Sequence, residues 1–66
     1  MDDVQVVRIY FRSKGLAAEL TYSPDDNGWY YDIYNHHGEN IERNDGVFTT
    51  KEQAKKSIHK WVRLNA

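Results

Sequence analysis

Leu16, Ala18, Leu20 and Tyr22 alternate with Ala17, Glu19 and Thr21. A strict period of two is the repeat of a pleated strand, and it puts the two sets on opposite faces. The segment is bracketed by Ser13-Lys14-Gly15 and by Ser23-Pro24-Asp25-Asp26-Asn27-Gly28. Gly15 is free to take positive φ, proline presets φ, and Asn-Gly tolerates left-handed geometry, so both brackets read as turns. Turns on both sides let the neighbouring segments fold back beside this strand, so the segment reads as part of an antiparallel sheet.

The partners are legible. Val4 to Phe11 is rich in β-branched and aromatic residues, which suit a half-buried pleated surface. Val7, Ile9 and Phe11 share one face; Val6, Arg8, Tyr10 and Arg12 share the other. Trp29 to Asn35 reads as a third strand, with Trp29, Tyr31 and Ile33 opposite Tyr30, Asp32 and Tyr34. His36-His37-Gly38-Glu39 turns the chain. Asn40-Ile41-Glu42-Arg43 forms a short fourth strand, Asn44-Asp45-Gly46 interrupts it, and Val47-Phe48 returns to apolar packing.

The period then changes. Thr50 is placed to cap a helix, and Gln53 three residues on completes a capping box. At 100° per residue Ala54, Ile58, Trp61 and Val62 fall on one arc, bordered by Leu64. Lys55, Lys56, His59, Lys60 and Arg63 occupy the outer side. The expected fold is one α+β domain over residues 1–66. It is a meander of three to four antiparallel strands with one C-terminal amphipathic helix on one face. The expected core faces Val7, Ile9, Phe11, Leu16, Ala18, Leu20, Trp29, Tyr31 and Ile33 toward Ala54, Ile58, Trp61 and Val62.

Composition narrows the function classes. A chain of 66 residues buries only about 60% of its unfolded surface, leaving little room for the roughly 300 Å³ of a drug-sized ligand site. The absence of cysteine excludes disulfides, thiolate metal sites and cysteine nucleophiles. His36, His37 and His59 lack the spacing that would set two metal ligands on one helical face. Ser13, Ser23 and Ser57 lack a nucleophile's context, and no glycine-rich phosphate loop occurs. The expectation is a non-enzymatic module with no metal and no cofactor. No apolar stretch approaches the roughly 20 residues of a membrane span, and Met1-Asp2-Asp3-Val4 does not read as a signal peptide. The expected location is the cytoplasm, with no membrane partner.

The net charge of −1 hides an asymmetry. Residues 51–66 carry five cations against one acid, and residues 1–50 carry four cations against nine acids. The outward sheet face displays Arg8, Tyr10, Arg12, Tyr30 and Tyr34 among Glu19, Thr21 and Asp32. Aromatics stack on bases and arginines pair with phosphates, so these five residues are the candidate nucleic-acid or partner-binding set. Cross-strand packing of tyrosines and docking of a protein are the other readings of the same face.

Trp29-Tyr30-Tyr31, Gly38 and the run Gly46-Val47-Phe48-Thr49-Thr50-Lys51-Glu52-Gln53-Ala54 resemble the arm-binding N-terminal domain of tyrosine integrases of phages and conjugative transposons. The likeness runs over residues 29–62. That domain's Phe-x-Thr-Lys-x-Glu-Ala signature is matched by Phe48, Thr50, Lys51, Gln53 and Ala54. Small bacterial and phage domains of unknown function with the same plan look similar too. The resemblance implies a three-stranded sheet backed by a helix, with the sheet entering the DNA major groove. It does not imply recombination. Two expectations follow. One is nucleic-acid binding through the Tyr/Arg face. The other is a protein-binding accessory or inhibitory factor of a phage or other mobile element acting on a host protein. A homodimer through the sheet edge left by Val4–Phe11 is compatible with both.

Overall fold

The computed structural model describes residues 5–66, Asp45 by its backbone alone. Four strands and a helix follow one another: β1 (Val6–Phe11), β2 (Leu16–Ser23), β3 (Gly28–Asn35), β4 (Asn40–Phe48) and α1 (Lys51–Asn65). The strands form one antiparallel sheet in chain order. The architecture is therefore the expected α+β meander, with α1 on one face. Val4, expected to open the first strand, lies outside the described residues.

Each turn has a local cause. Between β1 and β2 the chain makes a 3-10 turn, Arg12–Lys14, closed by Gly15 at φ 65°. Between β2 and β3, Asn27 takes φ 52°, and the Tyr22 hydroxyl donates to its Oδ1 at 2.8 Å. Gly28 opens β3 because no Cβ fits there: it would collide with the Val47 side chain and lie 2.8 Å from the Phe48 carbonyl oxygen. Between β3 and β4 the Asn35 Oδ1 accepts from the backbone N–H groups of His37 (2.9 Å) and Glu39 (3.0 Å).

Two expectations need correction. The fourth strand is not interrupted at Asn44-Asp45-Gly46. It runs through to Phe48, and register shifts between Trp29 and Tyr31 and between Ile33 and Tyr34 absorb the irregularity. The Gly46 N–H is held by the Asn44 side chain at 2.8 Å, so turn-forming residues serve here as a bulge. Arg12 does not extend β1. It opens the 3-10 turn, because the strand ends at Phe11.

The helix starts where the capping box places it. Thr50 Oγ1 accepts from the Gln53 N–H at 3.1 Å, and Gln53 Oε1 accepts from the Thr50 N–H at 3.4 Å. Such a cap is worth about 1 kcal/mol. The core joins Ala18, Leu20, Trp29, Tyr31 and Ile33 of the sheet to Ala54, Ile58 and Val62 of the helix. Val7, Ile9, Phe11, Leu16 and Trp61 pack against this centre partly buried. Trp61 is thus a flank of the core rather than its centre, and Leu64 is 68% exposed. The body measures 36 × 20 × 15 Å. α1 packs on one side of the sheet, and no helix or strand among the described residues packs on the other.

Candidate functional site

The open sheet face is built by register. Centring the β2–β3 hairpin on the Pro24–Asn27 turn pairs Thr21 with Tyr30, Glu19 with Asp32 and Ala17 with Tyr34. Adding β1 and β4 gives three transverse rows. The first is Val6, Thr21, Tyr30. The second is Arg8, Glu19, Asp32, Arg43. The third is Tyr10, Ala17, Tyr34, Asn40.

The middle row sets the electrostatics. Arg8 Nε donates to Glu19 Oε2 at 3.0 Å, and Arg43 Nε donates to Asp32 Oδ1 at 3.0 Å. Glu19 and Asp32 stand directly opposite each other, which alone destabilises a sheet. An arginine at each end offsets that repulsion, and the row sums to zero charge. The Arg8–Glu19 pair is largely exposed, and such pairs contribute about 0–1 kcal/mol. Asp32 differs, because only 6% of it is exposed. Asn40 Nδ2 also lies 3.5 Å from the Asp32 Oδ1. A buried carboxylate needs its partners, and removing one leaves a charge uncompensated.

The outer rows carry the tyrosines. Tyr30 and Tyr34 stand on either side of Asp32 along β3, and Tyr10 and Tyr34 face each other across Ala17. Alanine is the smallest residue in that row. Tyr10 is 64% exposed, whereas Tyr30 and Tyr34 are half-buried. The Tyr34 phenol is held above the ordinary tyrosine range. Desolvation is the larger cause, and the Asp32 and Glu19 carboxylates add to it.

Of the five candidate residues, Arg8, Tyr10, Tyr30 and Tyr34 share this face. Arg12 does not join them, since it sits in the turn beyond β1. Arg43 and Asn40 belong to the site and were absent from the candidate set. Alternation could not assign them a face, because β4 shifts register twice. The signal for the middle row was nonetheless present: two acids equidistant from one turn must meet across a hairpin.

The cations of the C-terminal segment lie elsewhere. Ala54, Ile58 and Val62 fix the buried face of α1, so Lys56 and Arg63 point away from the sheet. The tyrosines and the basic surface therefore occupy opposite sides of the domain.

An open cleft of ≈ 270 Å³ lies between α1 and β4. The Tyr31 and Ser57 hydroxyls meet at 3.1 Å, and Asn44 Nδ2 donates to Tyr31 Oη at 3.4 Å. Trp61 forms one wall, and Glu42 and Lys60 stand at its edge. The Tyr31 phenol is thus the hydrogen-bond partner of the Ser57 hydroxyl. Among the described residues no group of three His, Asp or Glu side chains is placed to hold a metal ion. No helix among them is long and apolar enough to cross a membrane.

Comparison with models of protein families, with curated proteins and with solved structures finds no match to this chain.

Proposed function

We propose that this protein is a non-catalytic binding module that docks a protein partner on its open sheet face. Tyr10, Tyr30 and Tyr34 are the contact residues, and the Arg8–Glu19–Asp32–Arg43 row orients the partner. The observation that carries this reading is the charge balance of that row. Each arginine on the face is engaged by a carboxylate 3.0 Å away. A phosphate approaching the centre would meet Glu19 and Asp32. Phosphate neutralisation drives most nucleic-acid affinity, and a face of zero net charge supplies little of it. Protein interfaces, by contrast, are enriched in tyrosine and arginine around a core depleted of charge.

Nucleic-acid binding remains the second reading. It rests on the three tyrosines and on the resemblance of residues 29–62 to an integrase DNA-binding domain. One set of variants separates the two. Tyr10→Ala and Tyr34→Ala leave the core intact, and truncating an interface tyrosine costs about 2 kcal/mol or more, roughly thirtyfold in Kd. Wild type and variants are titrated with duplex DNA, single-stranded DNA and RNA at two salt concentrations. The same proteins then serve as bait for affinity capture. We expect a captured protein that Tyr34→Ala loses and Lys56→Glu, on the far side, retains. Salt-sensitive nucleic-acid binding that Tyr34→Ala abolishes would refute docking of a protein and establish the second reading.

A further inference from the structure

The sheet has two outer edges, and they are built differently. β4 carries two register shifts. One is filled by the Asn40 side chain, whose Nδ2 donates to the carbonyls of Ile33 (3.3 Å) and Glu42 (3.2 Å). Bulges and side-chain plugs of this kind blunt an edge against further pairing. β1 has neither. Its six residues pair with β2 in unbroken register, it holds no proline, and no element among the described residues pairs with its other side.

The Tyr22 N–H donates to the Gln5 carbonyl at 2.9 Å, so Gln5 and Tyr22 form a hydrogen-bonded pair one step beyond Val6 and Thr21. In an antiparallel ladder, successive residues alternately turn both backbone groups toward the partner and away from it. Gln5, Val7, Ile9 and Phe11 therefore face β2. Val6, Arg8 and Tyr10 present their N–H and C=O groups to the open edge.

The side chains add a reason to extend the sheet here. α1 packs chiefly over β2, β3 and β4. It leaves Val7, Ile9 and Phe11 only partly buried, with the edge-on contact of the His59 and Phe11 rings (centroids 5.2 Å apart) bridging helix and strand. The apolar strip on this side of β1 is thus half-covered.

We infer that β1 pairs antiparallel with β1 of a second copy of this chain, about a two-fold axis passing through Ile9. A two-fold axis normal to the sheet keeps like faces together, so only residues of the same parity can stand opposite each other. An axis at Arg8 would set Arg8 against Arg8 of the second copy, a like-charge pair. An axis at Ile9 sets each Arg8 opposite a Tyr10, a cation–aromatic pairing made twice. It also sets each Val7 opposite a Phe11, which extends both half-covered strips. Arg8 and Tyr10 then exchange backbone hydrogen bonds across the axis. The net charge of −1 per chain opposes the association little. The product is a continuous eight-stranded sheet with both open tyrosine faces on one side.

The test uses no partner, so it succeeds or fails independently of the docking function proposed above. Wild-type protein is followed by sedimentation velocity and amide hydrogen exchange from micromolar to millimolar concentration. The sedimenting mass should double over that range. The Arg8 and Tyr10 amides should become protected as it does, while those of Val7 and Ile9 are protected throughout. Because the chain has no cysteine, Ile9→Cys and Val7→Cys each add a single thiol. At a pair without direct backbone hydrogen bonds the Cα atoms approach to about 4.5 Å, within disulfide range. Under mild oxidation Ile9→Cys should form a covalent dimer and Val7→Cys should not, each variant first checked for a cooperative melt. A monomer at all concentrations overturns the inference, as do Arg8 and Tyr10 amides that exchange as fast when concentrated as when dilute. Cross-linking through Val7→Cys in preference to Ile9→Cys overturns the register. If either cysteine variant fails to fold, the exchange pattern of the wild type decides.

Discussion

Ile58 is fully buried at the centre of α1's inner face, between Ala54 and Val62 and against the sheet core. Ile58→Ala removes three carbons, and at about 0.8 kcal/mol per buried CH₂ the transfer loss is about 2.4 kcal/mol. The helix is anchored by its cap and by flanking contacts, so it cannot fully collapse into the space, and the residual cavity raises the loss to about 3–4 kcal/mol. A chain of 66 residues has about 3–10 kcal/mol of total stability, at about 0.05–0.15 per residue. The variant should therefore lose a large share of its stability, lowering Tm by about 15 °C or more. Trp61→Ala makes the informative contrast. Trp61 is the bulkier residue, but it is half-buried and one side borders the open cleft. Its removal widens that cleft without leaving a closed void, so the cost should be about half the 3–5 kcal/mol of a fully buried tryptophan. Thermal and urea melts followed by far-ultraviolet circular dichroism measure both. A larger loss for Trp61→Ala than for Ile58→Ala would refute the seating of the helix.

The chemistry of two further positions yields direct tests. Gly28→Ala forces a Cβ into the Val47 side chain and against the Phe48 carbonyl, and the expected loss is about 1–3 kcal/mol in a urea melt. Adding Val47→Ala should restore only part of it, because the carbonyl remains; full restoration would contradict the backbone clash. The Tyr34 phenol should titrate above the ordinary tyrosine range, because partial burial and then the Asp32 and Glu19 carboxylates oppose its ionisation. The unfolded chain ionises this group first as pH rises. Its stabilising contribution is therefore whole below about pH 10 and is lost as pH climbs from there through the raised value. Site-resolved carbon chemical shifts of the phenol would show the titration, and Asp32→Asn should lower its midpoint; a midpoint at or below the ordinary value refutes the assignment.

Much of this architecture is legible in the sequence. The alternation of Leu16–Tyr22 and Trp29–Ile33, the Pro24–Asn27 turn and the Thr50/Gln53 cap each act over a few residues, and local rules suffice for them. The failures share a physical cause. Asn44-Asp45-Gly46 has the composition of a turn, but pairing with β3 holds it in a bulged strand. Arg12 continues the alternation of β1 on paper, yet the 3-10 turn to Gly15 claims it. Trp61 lies on the apolar arc of α1, but the arc is wider than the groove it covers. The candidate face was half visible. Its tyrosines and Arg8 follow from alternation, whereas Arg43 and the neutral row depend on how β4 is registered, which composition does not encode.

Strand order that follows chain order has a kinetic consequence. Each of the three hairpins closes a turn of only a few residues, and short loops carry a small entropic cost. The pairing of greatest sequence separation is the return of α1 across β2 and β3. Pairing sequence neighbours keeps contact order below that of sheets built from distant strands, which favours faster formation. The barrier to this fold therefore lies less in finding strand partners than in seating one amphipathic helix. Until that happens Leu20, Tyr31 and Ile33 have only one another, and water, to face.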